Sequence, residues 1–354
     1  MADQHQLLLD DPWTVDPAAF PSRGTPSEKL RFLLNYAVLA PSILNTQPWR
    51  FRIADNRVDV FADRTRLLPV TDPHGRELAI SCGAALLNLR LAIRGFGYGC
   101  EFEIRPDANL PDLLAKVTLT DPKTPSDSDR KLRDAIPLRR TNRRELLDRP
   151  LPLGLLKDLS AAAQQEGANL VSTHARTDIR PIAELVAEAE KTLLADPKYR
   201  QELGDWIRER ISEAMPEGVP NTPMAGHTPA HPAQPDLLMP TVASTVRMFS
   251  QGEEALGRLK THLAAAPVVA LVATEDDTPE SWISAGQALQ RALLVATVAG
   301  ACASFLNPAV EVPILRSKLA PIFGIKATPQ VLMRFGYGEK ILPEARRPTR
   351  AVVD

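Results

Sequence analysis

From Pro26 onward, Leu30, Leu33, Leu34, Ala37 and Val38 recur at helical spacing, a rhythm that predicts an amphipathic helix. Thr25, Pro26 and Glu28 precede it as a Thr-x-x-Glu capping box with proline at the first helical position. The helix is expected to run to Ala40, because Pro41 cannot follow an α-helical residue without a clash. Further on, WRFRI and RVDVFAD alternate apolar and polar positions around Asp55 and Asn56, which predicts a β-hairpin. The polar turn TDPHGRE then leads into a long apolar helix, and APVVALVAT at 266–274 reads as a strand.

Between the first helix and the hairpin lies APSILNTQPWRF, residues 40–51. Two prolines among neutral hydrogen-bonding side chains make poor helix and poor central strand, so this stretch is a loop. The long apolar helix has an apparent second copy. SCGAALLNLRLAIRGFGYGCEF at 81–102 aligns with SAGQALQRALLVATVAGACASF at 284–305, an offset of 203, with Ser, Gly, Ala, Leu, Leu, Gly and Phe matching. Chance likeness between two Ala/Leu-rich helices is one explanation; duplication is the other, and two related halves are the working reading.

Two segments read as connections. LTDPKTPSDSDRKLRDAIP is polar and rich in Pro, Ser and Asp, as a linker between halves would be. The second, residues 215–240, is so dense in proline that it is expected to run over the surface as a loop, a lid or a disordered insert. His227 and His231 lie in it and are its only candidates for a proton donor.

Composition narrows the function. The 354 residues are 44% hydrophobic and 24% charged, an ordinary globular balance. Lys plus Arg number 42 against 43 for Asp plus Glu, so no overall field draws nucleic acid or an acidic membrane, and neither is an expected partner. The three cysteines and six histidines are scattered, without metal-ligand spacing, and no metal is expected. The N-terminus lacks a basic leader and no uninterrupted apolar run approaches about 18 residues; a cytoplasmic protein is the expectation.

Charge is concentrated in one place. LRRTNRRE sets Arg139, Arg140, Arg143 and Arg144 around Thr141 and Asn142. Arginines this close either face solvent and pair with Glu145 and Asp148, or converge on an anion, for which guanidinium forks and a hydroxyl suit a phosphate.

The loop and the arginines together resemble the FMN-dependent nitroreductase family, and within it the tandem, Acg-like branch. Ala40, Pro41, Ser42, Asn45, Gln47, Pro48, Trp49 and Phe51 match the signature loop, and the arginine segment is similar to the RRSxR segment, with Thr141 in place of serine. The resemblance covers roughly residues 25–350. It implies an α+β nitroreductase-like fold in which two tandem halves, 25–125 and 130–350, form an internal pseudo-dimer around one non-covalent FMN, with residues 215–240 as a lid-like insert.

The same resemblance implies that Pro41, Ser42, Asn45 and Gln47 face the flavin ring and ribityl chain. Arg139, Arg140, Thr141 and Arg143 then hold the phosphate, with Arg346 and Arg347 as a second basic grip. Leu306, Asn307 and Pro308 pass the reactive N5, where a backbone donor matters most. The implied function is two-electron reduction of a small electron-poor substrate, with NAD(P)H as a possible donor, in a monomer or weak homodimer. A lid closed on the flavin implies instead a storage or sequestering protein, and a dedicated biosynthetic or dehalogenating oxidoreductase is a third reading.

Overall fold

The structure, a computed structural model, describes residues 12–214 and 266–354. The proline-dense segment with His227 and His231 lies outside the described residues.

The first helix, α1 (Pro26–Ala37), begins as its sequence predicts: Thr25 accepts from the Glu28 backbone and Glu28 reaches back to the Thr25 N–H. It ends three residues before Ala40. Leu39 and Ala40 bond back to Tyr36 and Ala37 at three-residue spacing, a tightened turn that releases the chain before Pro41. The hairpin follows as β1 (Trp49–Ala54) and β2 (Arg57–Ala62), then α2 (Arg76–Gly95), β3 (Tyr98–Ile104) and β4 (Leu113–Pro122).

These strands form an antiparallel sheet ordered β1-β2-β4-β3. In β1, Trp49 and Phe51 are buried while Arg50 and Arg52 face solvent, the alternation of a sheet covered on one face. Helix α2 has the length and mean hydropathy of a membrane span, yet 94% of that window is buried inside the fold.

The segment expected to be a linker is partly a helix, α3 (Asp127–Ala135), started by a capping box between Ser126 and Asp129. Then come α4 (Leu153–Gln164), β5 (Asn169–Thr173), α5 (Arg176–Ala195) and α6 (Pro197–Ala214). Beyond the undescribed segment are β6 (Val268–Thr274), α7 (Pro279–Val298), β7 (Cys302–Phe305), α8 (Pro308–Glu311), α9 (Pro313–Ile322) and β8 (Thr328–Gly336).

The second sheet is ordered β5-β6-β8-β7, the strand order of the first sheet repeated. Every residue of β6 is buried. Val268, Ala270 and Val272 pack toward α4 and α7, whereas Val269 and Leu271 pack toward α5, α8 and α9. A strand covered on both faces has no polar alternation to show, which is why its sequence reads as one apolar run.

Helices α2 and α7 cross between the sheets. A Cβ on Gly83 would collide with the Ile283 carbonyl, and one on Gly286 with the Ile80 carbonyl. Beside this crossing Gln290 donates to Asn88 at 2.7 Å, and Asn88 in turn donates to the Tyr36 carbonyl. The chain's end returns to the first sheet, where Phe51 donates to the Val352 carbonyl and accepts from Asp354.

Candidate functional site

The turn after α1 delivers Pro41, which is buried, and the chain then enters an irregular loop. Leu44, Asn45 and Gln47 all have positive φ, at 44°, 60° and 51°. Left-handed backbone at non-glycine residues costs on the order of 1 kcal/mol each and collects at functional sites. Contacts along the loop hold it: Ser42 Oγ accepts from the Gln47 N–H, Ser81 Oγ accepts from the Ile43 N–H, Trp206 of α6 donates to the Leu44 carbonyl, and Arg66 donates to the Thr46 carbonyl. Trp49 is fully buried and roots the loop in the core.

The C-terminal tail crosses this loop. Asn45 donates through Nδ2 to the Ala345 carbonyl at 3.0 Å and accepts at Oδ1 from Arg346 at 2.7 Å. Gln47 accepts at Oε1 from the Arg347 N–H at 2.8 Å. The guanidinium of Arg347 lies 3.6 Å from Asp63. The described hydrogen bonds of the Ser42, Asn45 and Gln47 side chains therefore tie the loop to itself and to the tail.

The arginine segment comes to the same place in extended form. Thr141 bridges to Ala303 of β7, and the Asn142 N–H donates to the Ala303 carbonyl. The segment starts no helix. Arg143 pairs with Glu344 of the tail and Arg144 with Glu339. Arg140 donates to the Pro137 and Arg139 carbonyls.

Arg139 is the unusual member. It is 2% exposed, donates to Thr141 Oγ1 at 3.3 Å, and its Nε has no hydrogen-bond partner among the described residues. Burial, together with the charges of Arg346, Arg140 and Arg143, pushes its guanidinium down to about 9, with only Glu344 opposing. Such a group is stable only where an anion completes it.

Residues 306–308 stand at the end of β7. The Leu306 N–H donates to the Leu332 carbonyl, and Pro308 has no N–H, so neither offers the backbone donor expected of this segment. Asn307 has its side chain fixed at both ends, with Oδ1 accepting from the Leu332 N–H and Nδ2 donating to Glu77 Oε1 at 3.2 Å. Glu77 also accepts from Arg76 and lies one turn before Ser81, the residue holding Ile43. Its Oε2 is buried without a hydrogen-bond partner among the described residues. Burial pushes Glu77 up to about 7 against the pull of Arg76.

The structure thus brings Asn45, Gln47, Arg139, Thr141, Arg143, Arg346 and Arg347 together from three distant stretches. Leu306, Asn307 and Pro308 connect to the loop through Glu77 and Ser81. Three participants carried no sequence signal of this role: Glu344, Glu77 and Trp13. Trp13 stacks under Arg140 and Arg346, with guanidinium carbons 4.0 and 5.2 Å from its ring centroid. A lone tryptophan in a polar, proline-flanked stretch gives no period and no motif by which to place it.

Comparison with known proteins agrees on one family. The model of the nitroreductase family matches residues 137–337. The Mycobacterium tuberculosis H37Rv protein named "Putative NAD(P)H nitroreductase Rv3131" is 32% identical over 352 residues, covering 96% of this chain and 94% of its own. A second protein of that strain, named "Putative NAD(P)H nitroreductase acg", is 29% identical over 337 residues and covers 94% of each chain. Among solved structures, the FMN-dependent nitroreductase NfnB from Mycobacterium smegmatis in complex with NADPH aligns at 15% identity and a TM-score of 0.37, over 60% of this chain and 90% of that one. With the family's own model spanning the arginine segment through β8, and a relative similar along nearly the whole length, this α+β chain belongs to the nitroreductase family.

Proposed function

We propose that the chain is an FMN-dependent oxidoreductase that reduces small electron-poor molecules by two electrons, with NAD(P)H as donor, in the cytoplasm. One flavin site is built between two related halves of a single chain. The observation that carries this reading is Arg139: a buried guanidinium with an unpartnered Nε, beside Thr141 Oγ1 and under the repulsion of three further arginines. A phosphate monoester offers a charge and acceptor oxygens to Arg139, whose Nε has no hydrogen-bond partner among the described residues. The halves are supported by the repeated strand order and by the reciprocal glycine contacts of α2 and α7.

The residues fit the group. Arg139, Thr141 and Arg143 would hold the phosphate, with Arg346 and Arg347 held close by Asn45 and Gln47. The left-handed residues Leu44, Asn45 and Gln47 would present peptide groups to the ring edge. Asn307, fixed by Leu332 and Glu77, would supply the backbone donor that Leu306 and Pro308 do not. Bound FMN supplies hydride transfer at N5. Glu77, raised toward neutrality in its pKa, would keep a proton available beside Asn307 for a reduction that consumes one.

A second reading, storage of FMN without turnover, is favoured by α6. Trp206 donates to Leu44 at 3.0 Å, and Glu202 accepts from the Val70 and Thr71 N–H groups at 2.8 and 2.9 Å, so this helix is fastened to the loop at one point and to the turn before α2 at another. An anaerobic absorbance titration separates the readings. Bleaching of the flavin band by NADH or NADPH is the expected result; bleaching by dithionite alone supports storage; absence of flavin binding even after reconstitution overturns both.

A further inference from the structure

Trp13 lies outside every motif of the family resemblance, yet it touches each arm of the basic cluster. Its ring takes the Arg140 guanidinium at 4.0 Å and that of Arg346 at 5.2 Å. Its Nε1 donates to the Glu344 carbonyl at 2.8 Å, and the Glu344 carboxylate pairs with Arg143. Arg346 continues from the ring to Asn45 of the loop. Arg140 and the tail therefore meet on one indole, and the tail carries the contact on to Arg143 and to the loop.

The neighbouring chain explains how a residue so near the N-terminus stays in place. Pro12 is buried, and Asp16 caps the short turn Pro17–Ala19 through the Ala18 N–H. Phe20 packs against Phe32, Phe96 and Tyr98 with ring centroids 4.6–6.0 Å apart. A pocket of about 260 Å³ lined by Trp13, Val15, Tyr36, Leu39 and Pro137, among others, flanks this strap.

Four arginines within one cluster repel one another, and the guanidinium planes need a fixed orientation before they can converge on one anion. An aromatic face supplies both things a carboxylate cannot. It attracts the cations through its quadrupole, and it adds no negative charge that would compete with the anion. Glu344 engages Arg143, while Arg140 and Arg346 both lie against the ring.

We infer that Trp13 is a positioning residue of the proposed phosphate site, acting through Arg140 and Arg346 so that the basic cluster is set for a phosphate monoester before it arrives. This inference rests on the FMN reading. The test is equilibrium binding of FMN and of riboflavin, which lacks the phosphate, to apoprotein prepared from wild type, Trp13→Ala and Trp13→Phe, followed by flavin fluorescence.

In Trp13→Ala, FMN affinity is expected to fall roughly tenfold, the size of one partly desolvated cation–π contact, with riboflavin affinity unchanged. Trp13→Phe, which keeps a ring but loses the Glu344 bond, is expected to recover most of the FMN affinity. FMN affinity in Trp13→Ala within twofold of wild type overturns the inference, and so does an equal loss for FMN and riboflavin, which marks general loosening. Trp13→Phe behaving like Trp13→Ala overturns the role of the ring. Wild-type apoprotein that binds no FMN overturns the proposed function itself, and is recognised before any variant is compared.

Discussion

Gly83 and Gly286 stand 203 residues apart in sequence and in reciprocal positions in space: each faces the carbonyl of the residue three places before the other, Ile283 and Ile80. That reciprocity has the form of an isologous contact, in which each side presents the same feature to the other. A Cβ at either position meets backbone, and backbone in two long helices cannot step aside locally. Gly83→Ala and Gly286→Ala are each expected to cost about 2 kcal/mol or more, and by similar amounts because the two contacts are equivalent. Urea unfolding measures this; a loss confined to one of the two variants contradicts the equivalence.

Arg139 sets stability against function. Its burial and the charges around it disfavour the guanidinium in the unliganded protein. Arg139→Met keeps the side chain's length and removes the charge, so the apoprotein is expected to gain on the order of 1–3 kcal/mol. FMN affinity is expected to fall at least a hundredfold while riboflavin binding changes little. Thermal unfolding of the apoprotein and the same flavin titrations report the two effects separately.

The elements legible in the sequence were those fixed by neighbours along the chain. The Thr25–Glu28 capping box, the turn at Asp55–Asn56 and the alternation of β1 are local, and each formed where its pattern placed it. The segment around residues 126–129 has the composition of a linker or domain edge because its Ser and Asp are turn formers as well as helix caps. Here the Ser126–Asp129 pair closes a capping box and nucleates α3. The arginines showed as a cluster, but their surroundings were hidden, because Arg346 meets Asn45 across 301 residues and Trp13 meets Glu344 across 331. Contacts of that range leave no period for a reader of the chain to find.

A buried ion cluster joins α2, α7 and the loop before β5. Glu166, 8% exposed, accepts from Arg90 at 2.5 Å and from Arg291 at 2.7 Å, and Gln287 takes a further Arg90 bond. Removing the carboxylate leaves two buried cations facing each other, so Glu166→Ala is expected to cost about 3–5 kcal/mol. Adding Arg291→Met to that variant removes one of the stranded charges and is expected to restore part of the loss. A double-mutant cycle by urea unfolding reads the coupling, and strict additivity contradicts it.

The pH dependence of stability follows from carboxyls that burial holds protonated. Glu77 and Glu190 are each pushed up to about 7, and Glu311 lies well above its usual value, raised further by Glu77 and Glu190 against the pull of Arg76. Asp72 is raised by burial as well, while Arg316 pulls Glu77 down. A carboxyl whose folded value exceeds its unfolded one of about 4.3 binds more protons in the folded state at intermediate pH. Its contribution is therefore greatest in acid, falls as pH rises from about 4.5 to about 7, and is constant above that. Stability is expected to drop between pH 5 and pH 8. Glu190 reports the effect most directly, since burial shifts it and its Oε2 has no hydrogen-bond partner among the described residues, although its replacement also relieves Glu311. Glu190→Gln is expected to leave stability at pH 5 unchanged and to raise it by about 2 kcal/mol at pH 8, so that urea midpoints at the two pH values converge. A variant that runs parallel to wild type across this range contradicts the assignment.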